Sequence, residues 1–448
     1  MKKTYYNRRD FMKLSTAAAL GGAAALSGMD LPDEKSGNHP LNQKTIRLGF
    51  VGIGGRGTYH LSCALGMEGV EVPAICEIIP ERLERARKMI EDAGLARPNM
   101  YGRGPTDFIR MCETENLDAV ICSTSWKWHA PVCLSSMKND KHCVSEVPII
   151  VTLDEAWQLV ETYESTGKWA TIGLEGFREL ALLNMIQLGM LGDIVHAETG
   201  YIHDLRLVKF DPEGEPWRLQ HSINRNGNLY PDHPMSRMLP ALDINHGDRM
   251  EFMVSISSFG GMLNDFAAEY YNDENHPMAR QKYALGNYNA SLIRTVRGKM
   301  ITINHDTSTP HPREPYRIQG TRGVYLGDSV SRTIYIEGLS PGEHRWEPAE
   351  KYLKEYEHPI VKNYNPPPRR GGSIKGHGGG QKQTPMIWYR LVNALRENKM
   401  PDWDVYDSVT SGSIAPISEM SVAQKSRDIE FPDFTRGKWA TRSRITLA

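Results

Sequence analysis

The sequence predicts an α/β protein with two domains. Residues 45–172 are predicted to form a doubly wound parallel sheet, and residues 173–448 an α+β domain with an open, mainly antiparallel sheet. The 448 residues exceed what one hydrophobic core usually supports. In the first part, short apolar strands alternate with helical segments, which indicates parallel pairing. In the second part, several strand-like segments follow one another directly, which indicates antiparallel pairing.

Each predicted element has a local signal. An apolar strand over 45–53 comes first, and glycines follow it at once. The first domain is then predicted to have helices over 58–65, 80–93, 129–137 and 153–164, and strands over 70–76, 117–123, 142–145 and 169–174. The second is predicted to have helices over 179–188, 384–396 and 405–424, and strands over 194–202, 290–297, 300–305, 316–319, 323–325 and 333–336. Residues 366–380 lack periodicity, which predicts a mobile loop that closes over a cleft as a lid.

Composition excludes several classes of protein. Hydrophobic residues make up 40% of the chain and charged residues 24%, which provides enough apolar surface for folded domains. Lys plus Arg total 53 against 54 for Asp plus Glu, so we expect no nucleic-acid partner. After residue 28 no apolar stretch approaches the ~18 residues that span a bilayer. All 6 cysteines lie between residues 63 and 143 without metal-ligand spacing, and we expect small buried side chains.

The N-terminus has the layout of a twin-arginine export signal. Arg8 and Arg9 precede an apolar run of small residues over 14–26, so we assign residues 1–31 to the signal and 32–44 to a polar tether. We therefore expect the twin-arginine export machinery as a partner and a periplasmic or extracellular location. An amphipathic or membrane-anchoring helix is the alternative interpretation of this segment.

A glycine-rich turn follows the first predicted strand. Gly52, Gly54 and Gly57 form a GxGxxG pattern before a helix, and the next strand ends at Glu77, about 20 residues further on. In this context the glycines permit a tight turn, the helix N-terminus offers N–H groups to a pyrophosphate, and Glu77 binds the ribose hydroxyls. Because a carboxylate repels a 2′-phosphate, the pattern predicts a Rossmann domain that binds NAD rather than NADP. A glycine-rich turn without a ligand is the alternative.

Two further strand ends carry candidate binding residues, because ligands of such sheets lie beyond the carboxyl ends of the strands. One group follows the strand predicted over 117–123 and the other the strand over 142–145. The groups are Trp126, Lys127, Trp128 and His129, and then Glu146 and Val147. The first group is predicted to lie against the nicotinamide end of the cofactor, and packing within a loop is the alternative.

Several separated motifs, from about residue 45 to about residue 440, resemble glycoside hydrolase family 109. This family contains NAD-dependent α-N-acetylgalactosaminidases within the glucose-fructose oxidoreductase and inositol dehydrogenase superfamily. Besides the glycine pattern, the matching segments are 126–129, 146–148, 200–206, 217–218, 228–233, 242–245, 305–307 and 432–437. The resemblance implies cofactor contacts from Gly55, Arg56, Glu77, Trp126, Lys127, Trp128, His129, Glu146 and Val147. We add Glu175 as a cofactor contact, and whether Glu175 or Gly176 replaces the family's cofactor-contacting Asn stays open. The resemblance also implies sugar contacts from Tyr201, Arg218 and Tyr230, and it places Tyr230, Pro231, Asp232 and His233 between nicotinamide and sugar.

Two positions separate this chain from ordinary dehydrogenases of the superfamily. Those enzymes transfer protons with the Lys of a Glu-Lys-Pro motif and with an Asp-x-x-x-His pair. Here Val147 and Leu229 stand at the Lys and Asp positions, and the glycosidase family shares both absences. The chain departs from that family at Glu175 and near Pro312, where an Asn and a sugar-contacting Tyr are usual. A substrate sugar other than N-acetylgalactosamine is therefore an open alternative.

The implied reaction needs no flanking pair of carboxylates, since NAD-dependent families are exceptions among glycosidases. The sugar is oxidised at C3 by hydride transfer to NAD, the C2 hydrogen becomes acidic, the aglycone leaves from C1, water adds, and hydride returns to C3. His233 is predicted to be the acid or base, with Tyr230 as its partner, while Tyr201, Asp204 and Arg218 orient the sugar. A structural role is the alternative for each of these side chains. For the whole protein, the alternatives are an exported sugar or polyol dehydrogenase and a non-catalytic sugar-binding protein.

We also expect a homodimer, because an open sheet often buries one face.

Overall fold

The computed structural model describes residues 44–175, 179–313, 316–328, 330–364, 383–445 and 447. The predicted export signal, almost all of the predicted tether and the predicted lid at 366–380 lie outside the described residues. In the described part of the chain, no helix is long and apolar enough to cross a membrane.

The first sheet has six parallel strands. They are β1 (Ile46–Val51), β2 (Val70–Cys76), β3 (Asn99–Tyr101), β4 (Ala119–Cys122), β5 (His142–Ser145) and β6 (Ala170–Thr171). The connecting helices are α1 (Gly55–Leu65), α2 (Pro80–Asp92), α3 (Asp107–Thr114), α4 (His129–Lys138) and α5 (Leu153–Thr166). The spatial order β3-β2-β1-β4-β5-β6 reverses direction next to β1, where a crevice for ligands opens beyond the strand ends. The predicted doubly wound sheet is confirmed.

The first domain differs from the prediction at β3, α3 and β6. The sequence analysis did not predict the short strand β3 or the helix α3. The predicted strand over 169–174 is only two residues long, because the chain leaves the sheet toward the second domain. There the Thr171 hydroxyl donates to the Trp403 carbonyl at 2.6 Å, and the Ile172 N–H donates to the Ser408 hydroxyl at 3.3 Å. Hydrogen bonds to a segment that is distant in sequence thus replace pairing within the first sheet.

The second sheet has nine strands and is mixed. They are β7 (Ile194–Ile202), β8 (Met250–Ser257), β9 (Asn289–Thr295), β10 (Met300–Asp306), β11 (Tyr316–Gly320), β12 (Gly323–Gly327), β13 (Arg332–Ile336), β14 (Glu347–Pro348) and β15 (Ile429–Glu430). The order is β14-β13-β12-β11-β7-β10-β9-β8-β15, and only the β7–β10 pair is parallel among these described strands. The predicted open, mainly antiparallel sheet is confirmed, although β8 was not predicted.

The helices of the second domain cover one face of its sheet and the junction with the first domain. They are α6 (Leu180–Gln187), α7 (Arg206–Phe210), α8 (Arg218–Asn224), α9 (Asp232–Ala241), α10 (Met262–Tyr271), α11 (Pro277–Arg280), α12 (Glu350–Glu355), α13 (Pro359–Lys362), α14 (Gln383–Glu397) and α15 (Val405–Ala423). Helix α15 packs against both β8 and α5, so one continuous apolar core joins the two domains. The six cysteines are buried, as predicted, and form no disulfide among the residues that the structure describes.

The region between β7 and β8 is more helical than predicted. Helices α7, α8 and α9 were not predicted: α7 and α8 are only five and seven residues long, and α9 contains two prolines. His233 lies in the first turn of α9. Pro231 is the residue before the helix and Pro234 lies in its first turn, where a missing N–H costs no helical hydrogen bond.

Candidate functional site

The turn between β1 and α1 depends on two glycines that approach other backbone atoms. Gly52 has φ +80°, and a Cβ there would lie 2.8 Å from the Ser123 carbonyl oxygen. A Cβ on Gly57 would lie 2.0 Å from the Gly52 carbonyl oxygen, so helix and turn touch through backbone alone. At Gly55, by contrast, a Cβ would meet nothing within 4 Å. The turn is therefore tight on the inside and open on the side where a ligand would approach.

This open side fits a dinucleotide. Helix α1 begins after Gly54 without a side-chain cap, so its first N–H groups face the space above the turn. Glu77, at the end of β2, is 7% exposed, and its two oxygens accept hydrogen bonds from the Ile53 N–H at 2.7 Å and the Ile79 N–H at 3.0 Å. Each oxygen keeps a further lone pair for a ribose hydroxyl. The geometry thus agrees with the predicted pyrophosphate and ribose positions.

Trp126, at the end of β4, joins the first domain to the second. It lies in a single 3-10 turn with Lys127 and Trp128, and its buried ring stacks on Tyr230 with a centroid distance of 5.1 Å and an interplanar angle of 16°. Trp128 packs edge-on against Phe108, and the Lys127 ammonium lies 5.4 Å from the centre of the Trp128 ring. Of the three side chains, Trp126 is the one that reaches the sugar side of the cleft.

The His129 ring connects two strand ends. Its Nδ1 lies 2.7 Å from the Pro148 carbonyl oxygen, and its Nε2 lies 3.0 Å from the Thr124 carbonyl oxygen. Burial lowers the pKa of this imidazole. Both ring nitrogens therefore face backbone carbonyl oxygens, and the cofactor contact of His129 stays a prediction.

Glu146 is the best-anchored carboxylate of the cleft. Its Oε1 lies 2.5 Å from Nε2 of His60 and 3.3 Å from Nε of Arg56, both on helix α1. Burial opposes ionisation, yet the His60 hydrogen bond and the Arg56 charge together hold the pKa of Glu146 below its ordinary value. Val147 follows as a buried apolar residue. The site therefore has a permanent negative charge beside Arg56, and no amine at the position of Val147.

Two tyrosines and a histidine form the second-domain side of the cleft. Tyr201, at the end of β7, stacks on the His233 ring at 5.2 Å and meets Tyr230 edge-on at 4.6 Å. Tyr230 also meets His233 edge-on at 4.8 Å. Burial raises the pKa of Tyr230 well above that of a free phenol, so its hydroxyl is neutral and able to donate. The structure thus brings together three residues that the sequence analysis singled out.

His233 has a partner that the sequence analysis assigned to the cofactor. Oε1 of Glu175 lies 2.8 Å from Nδ1 of His233, and the two side chains are 8% and 17% exposed. These two atoms lie within ion-pair distance of each other. Glu175 lies just beyond β6 of the first domain and His233 on α9 of the second, so the pair crosses the domain boundary.

Arg218 lies among aromatic rings. Its guanidinium carbon is 5.0, 4.8 and 5.2 Å from the ring centres of Trp126, Trp217 and Tyr230. Glu215, one helical turn earlier, accepts a hydrogen bond from its Nε. Desolvated cation–π contacts of this kind contribute about 2 kcal/mol. The predicted sugar-binding arginine is therefore held rigidly at the aromatic wall and is not a loosely stacked surface cation.

Two predicted site carboxylates have partners inside the protein. Both oxygens of Asp204 accept hydrogen bonds from Arg206, at 3.0 and 2.9 Å, and these bonds lower the pKa of Asp204. Asp232, which follows Pro231, accepts a hydrogen bond from the Ser411 hydroxyl at 2.8 Å, and burial raises its pKa to about 7. The structure therefore places Asp232 toward α15 and makes Asp204 part of an ion pair at the cleft's edge.

The sequence analysis missed His60 and Lys209. His60 lies four residues after Arg56 on helix α1, a spacing that puts both on one face, so a signal was present. Lys209, on the short helix α7, is buried and donates to the Thr307 hydroxyl at 2.9 Å. Burial lowers the pKa of Lys209 to about 7. Nothing in the local sequence indicates that this lysine lies inside the protein.

The fold and site define an NAD-binding protein with the fold of an oxidoreductase family. The family model described as "Oxidoreductase family, NAD-binding Rossmann fold" matches residues 46–174. The chain is similar to an oxidoreductase domain protein from Kribbella flavida, with a TM-score of 0.66, 16% identity, and coverage of 87% of this chain and 100% of that one. It is also similar to levoglucosan dehydrogenase in complex with NADH and levoglucosan, with a TM-score of 0.62, 16% identity, and coverage of 86% and 99%. These likenesses show the shared fold.

The second domain identifies the family. A model described as "Glycosyl hydrolase 109, C-terminal domain" matches residues 177–441. A glycosyl hydrolase family 109 protein from Solibacter usitatus (strain Ellin6076) is 35% identical over 453 residues, covering 99% of this chain and all of that protein. A second, from Shewanella woodyi (strain ATCC 51908 / MS32), is 36% identical and covers 89% of this chain and 86% of that protein. The chain belongs to glycosyl hydrolase family 109, and it is a glycosidase with an NAD-binding domain. The predicted resemblance and the predicted cofactor are thereby confirmed.

Proposed function

We propose that this glycosidase is an α-N-acetylgalactosaminidase that oxidises its sugar transiently at C3. The observation that carries the proposal is the packing of Tyr201, Tyr230 and His233 into one wall that faces the glycine turn and Glu146 across the domain boundary. Such a wall offers hydroxyl and imidazole groups to a sugar that lies against a nicotinamide. The reaction then proceeds by elimination from C1 and C2, addition of water and re-reduction at C3.

The first domain has the residues to hold NAD. The N-terminus of α1 would bind the pyrophosphate and Glu77 the adenosine ribose, and the wall made by Trp126 and Val147 would support the nicotinamide end. When bound, NAD supplies a reversible acceptor for the C3 hydride. The overall reaction consumes no NAD, because each cycle returns the hydride to the sugar.

In this proposal, residues of the second-domain wall transfer the protons. His233 is the group suited to remove the C2 proton and return one, since imidazole exchanges protons near neutral pH. The neutral Tyr230 hydroxyl lies next to it and orients a sugar hydroxyl. Arg218 and Tyr201 bind the rest of the ring. A dehydrogenase would need the lysine and aspartate of its proton-transfer set, but Val147 and Leu229 at those positions are buried and each 3% exposed.

The test is a panel of nitrophenyl glycosides incubated with the purified enzyme and NAD. We expect nitrophenol release from the α-N-acetylgalactosaminide without net reduction of nicotinamide, and deuterium at C2 of the product when the reaction runs in heavy water. A His233→Ala variant that still contains NAD serves as the control and should release little nitrophenol. Stoichiometric accumulation of NADH together with an oxidised sugar, without release of nitrophenol, would instead identify a sugar dehydrogenase.

We also propose export of the folded enzyme through the twin-arginine route. The arginine pair and the small-residue apolar run of residues 8–26 support this proposal, because that route carries folded precursors and would deliver the enzyme with its cofactor. A fusion of residues 1–44 to a reporter should reach the periplasm. Replacement of Arg8 and Arg9 by lysine should retain the reporter in the cytoplasm.

We further propose a homodimer formed through the outer face of the second sheet. Ile256, Leu292 and Met300 lie on β8, β9 and β10 with 62, 48 and 44% of their surface exposed. Exposed apolar side chains on three adjacent strands favour burial against a second copy. Light scattering should give the dimer mass for the wild type, and Leu292→Lys should shift it toward the monomer.

A further inference from the structure

Glu175 and His233 form a carboxylate–imidazole pair across the domain boundary. Their contact atoms, Oε1 and Nδ1, are 2.8 Å apart, and both side chains are largely buried. We propose that Glu175 is a positioning residue, which orients His233 and stabilises its protonated form during turnover. This inference rests on the acid/base role proposed for His233. It assigns Glu175 a different function from the cofactor contact expected from the sequence.

The contact with Glu175 determines which nitrogen of the His233 imidazole carries the proton. Neutral imidazole carries a proton on one nitrogen and a lone pair on the other. A carboxylate next to Nδ1 keeps the proton there, so Nε2 has the lone pair and accepts a proton from the substrate. The resulting imidazolium then lies beside a negative charge. Contacts of this kind are often misaligned before substrate binds and align in the complex.

The neighbouring rings restrict His233 to this orientation. Tyr201 stacks on the imidazole at 5.2 Å with an interplanar angle of 20°, and Tyr230 meets it edge-on at 4.8 Å. These contacts define the plane of the ring, whereas Glu175 defines which nitrogen faces the first domain. Nε2 is then the nitrogen left to exchange protons with a bound sugar.

Three carboxylates lie near His233, and Glu175 is the one that contacts its ring. Glu146 also acts on the imidazole electrostatically, but it is held by His60 and Arg56. Asp232 precedes His233 in the chain, yet it accepts a hydrogen bond from Ser411. Arg56 and Tyr230 also lie within the electrostatic range of Glu175. Asp232 does so as well, so the tautomer of His233 is the measurement that separates an effect on this imidazole from effects on those three neighbours.

The experiment compares Glu175→Gln, Glu175→Asp and the matched surface control Glu161→Gln in the full-length, NAD-containing enzyme. Glu161 is exposed on helix α5. For Glu175→Gln we expect kcat for the active glycoside to fall roughly 100-fold, with KM changed less than about threefold, because proton transfer and not binding is impaired. The acidic limb of the pH–rate profile should move to lower pH, since the imidazolium loses its adjacent negative charge. Glu175→Asp should recover part of the loss, and Glu161→Gln should behave as the wild type.

A second readout does not depend on activity. Nitrogen-15 NMR of labelled histidine reports which ring nitrogen carries the proton, and resonances absent from His233→Ala identify His233. We expect the Nδ1–H form in the wild type and a mixture of tautomers in Glu175→Gln. An unchanged tautomer together with unchanged kcat and pH profile in Glu175→Gln would overturn the inference. If the enzyme cleaves no glycoside, the proposed function fails, and the NMR comparison still decides whether the pair exists.

Discussion

Trp126 and Tyr230 stack face to face across the domain boundary, 5.1 Å apart and within 16° of parallel. Trp126 follows β4 of the nucleotide-binding sheet, and Tyr230 lies two residues before the helix that bears His233. The stack therefore links the wall proposed to support the cofactor to the wall proposed to transfer protons. Stacked aromatic pairs contribute about 1 kcal/mol beyond the area that they bury. An error of about 1 Å in such a relationship costs roughly 100-fold in rate.

Arg218, which contacts both rings of this stack, should govern sugar binding. Replacement by methionine keeps much of the apolar stem but removes the cation that the three aromatic faces surround. We expect KM for the active glycoside to rise about tenfold, with a smaller change in kcat. Initial rates over a range of substrate concentrations measure this. Arg280→Met, at an exposed position of α11, is the control, and an unchanged KM in Arg218→Met would exclude Arg218 from the sugar site.

Alanine substitutions at Gly57 and Gly55 test the packing of the glycine turn. A methyl group at Gly57 would meet the Gly52 carbonyl oxygen at 2.0 Å, whereas one at Gly55 would meet nothing within 4 Å. We expect Gly57→Ala to destabilise the protein by about 2–4 kcal/mol, because backbone must move to relieve the clash. Gly55→Ala should stay within about 0.5 kcal/mol of the wild type. Thermal unfolding of the two variants checks this, and equal Tm values would contradict it.

Glu77 should determine the affinity for NAD and the preference for NAD over NADP. Glu77→Ala removes the carboxylate that accepts from the Ile53 and Ile79 N–H groups and that would bind the ribose hydroxyls. Loss of one charge-assisted hydrogen-bonding group costs about 2 kcal/mol, so NAD affinity should fall more than about tenfold. The discrimination against NADP should also decrease. Calorimetric titration with both nucleotides measures these effects, with Glu81→Ala on the exposed side of α2 as the control.

Lys209 should make stability depend on pH. Burial lowers the pKa of Lys209 to about 7, whereas a lysine in an unfolded chain titrates near about 10.4. Between these values the unfolded chain binds more protons, so stability rises with pH, and the cost of burying the charge is greatest below pH 7. Lys209→Met should therefore raise stability more at pH 6 than at pH 9, by roughly 2 kcal/mol.

Unfolding of the Lys209→Met protein and the wild type at both pH values measures this difference. Lys88→Met, at an exposed position of α2, is the control and should show no such pH dependence. If Lys209→Met changes stability equally at pH 6 and pH 9, the Lys209 amine keeps its ordinary titration and the prediction is wrong.

The nucleotide-binding half of the site could be predicted from sequence because its signals are local. Gly52 and Gly57 are needed by a turn of six residues, and Glu77 follows a strand that pairs directly with the first. A parallel sheet with short connections leaves little freedom in where such residues lie. The Tyr201 and Tyr230 positions followed instead from resemblance to the family.

The partners of the acid and base groups depended on tertiary structure. Glu175 and His233, and likewise Glu146 and His60, belong to different elements, and their sequence separations far exceed any helical or strand period. Burial of Lys209 likewise results from the packing of a five-residue helix, too short to produce a hydrophobic periodicity. Local sequence therefore determined the sheet, the glycine turn and the place of Glu77 after β2, whose geometry needs only neighbouring residues. Only the packing of the two domains decided which carboxylate meets which imidazole, because such contacts are made between surfaces that the chain brings together from distant positions.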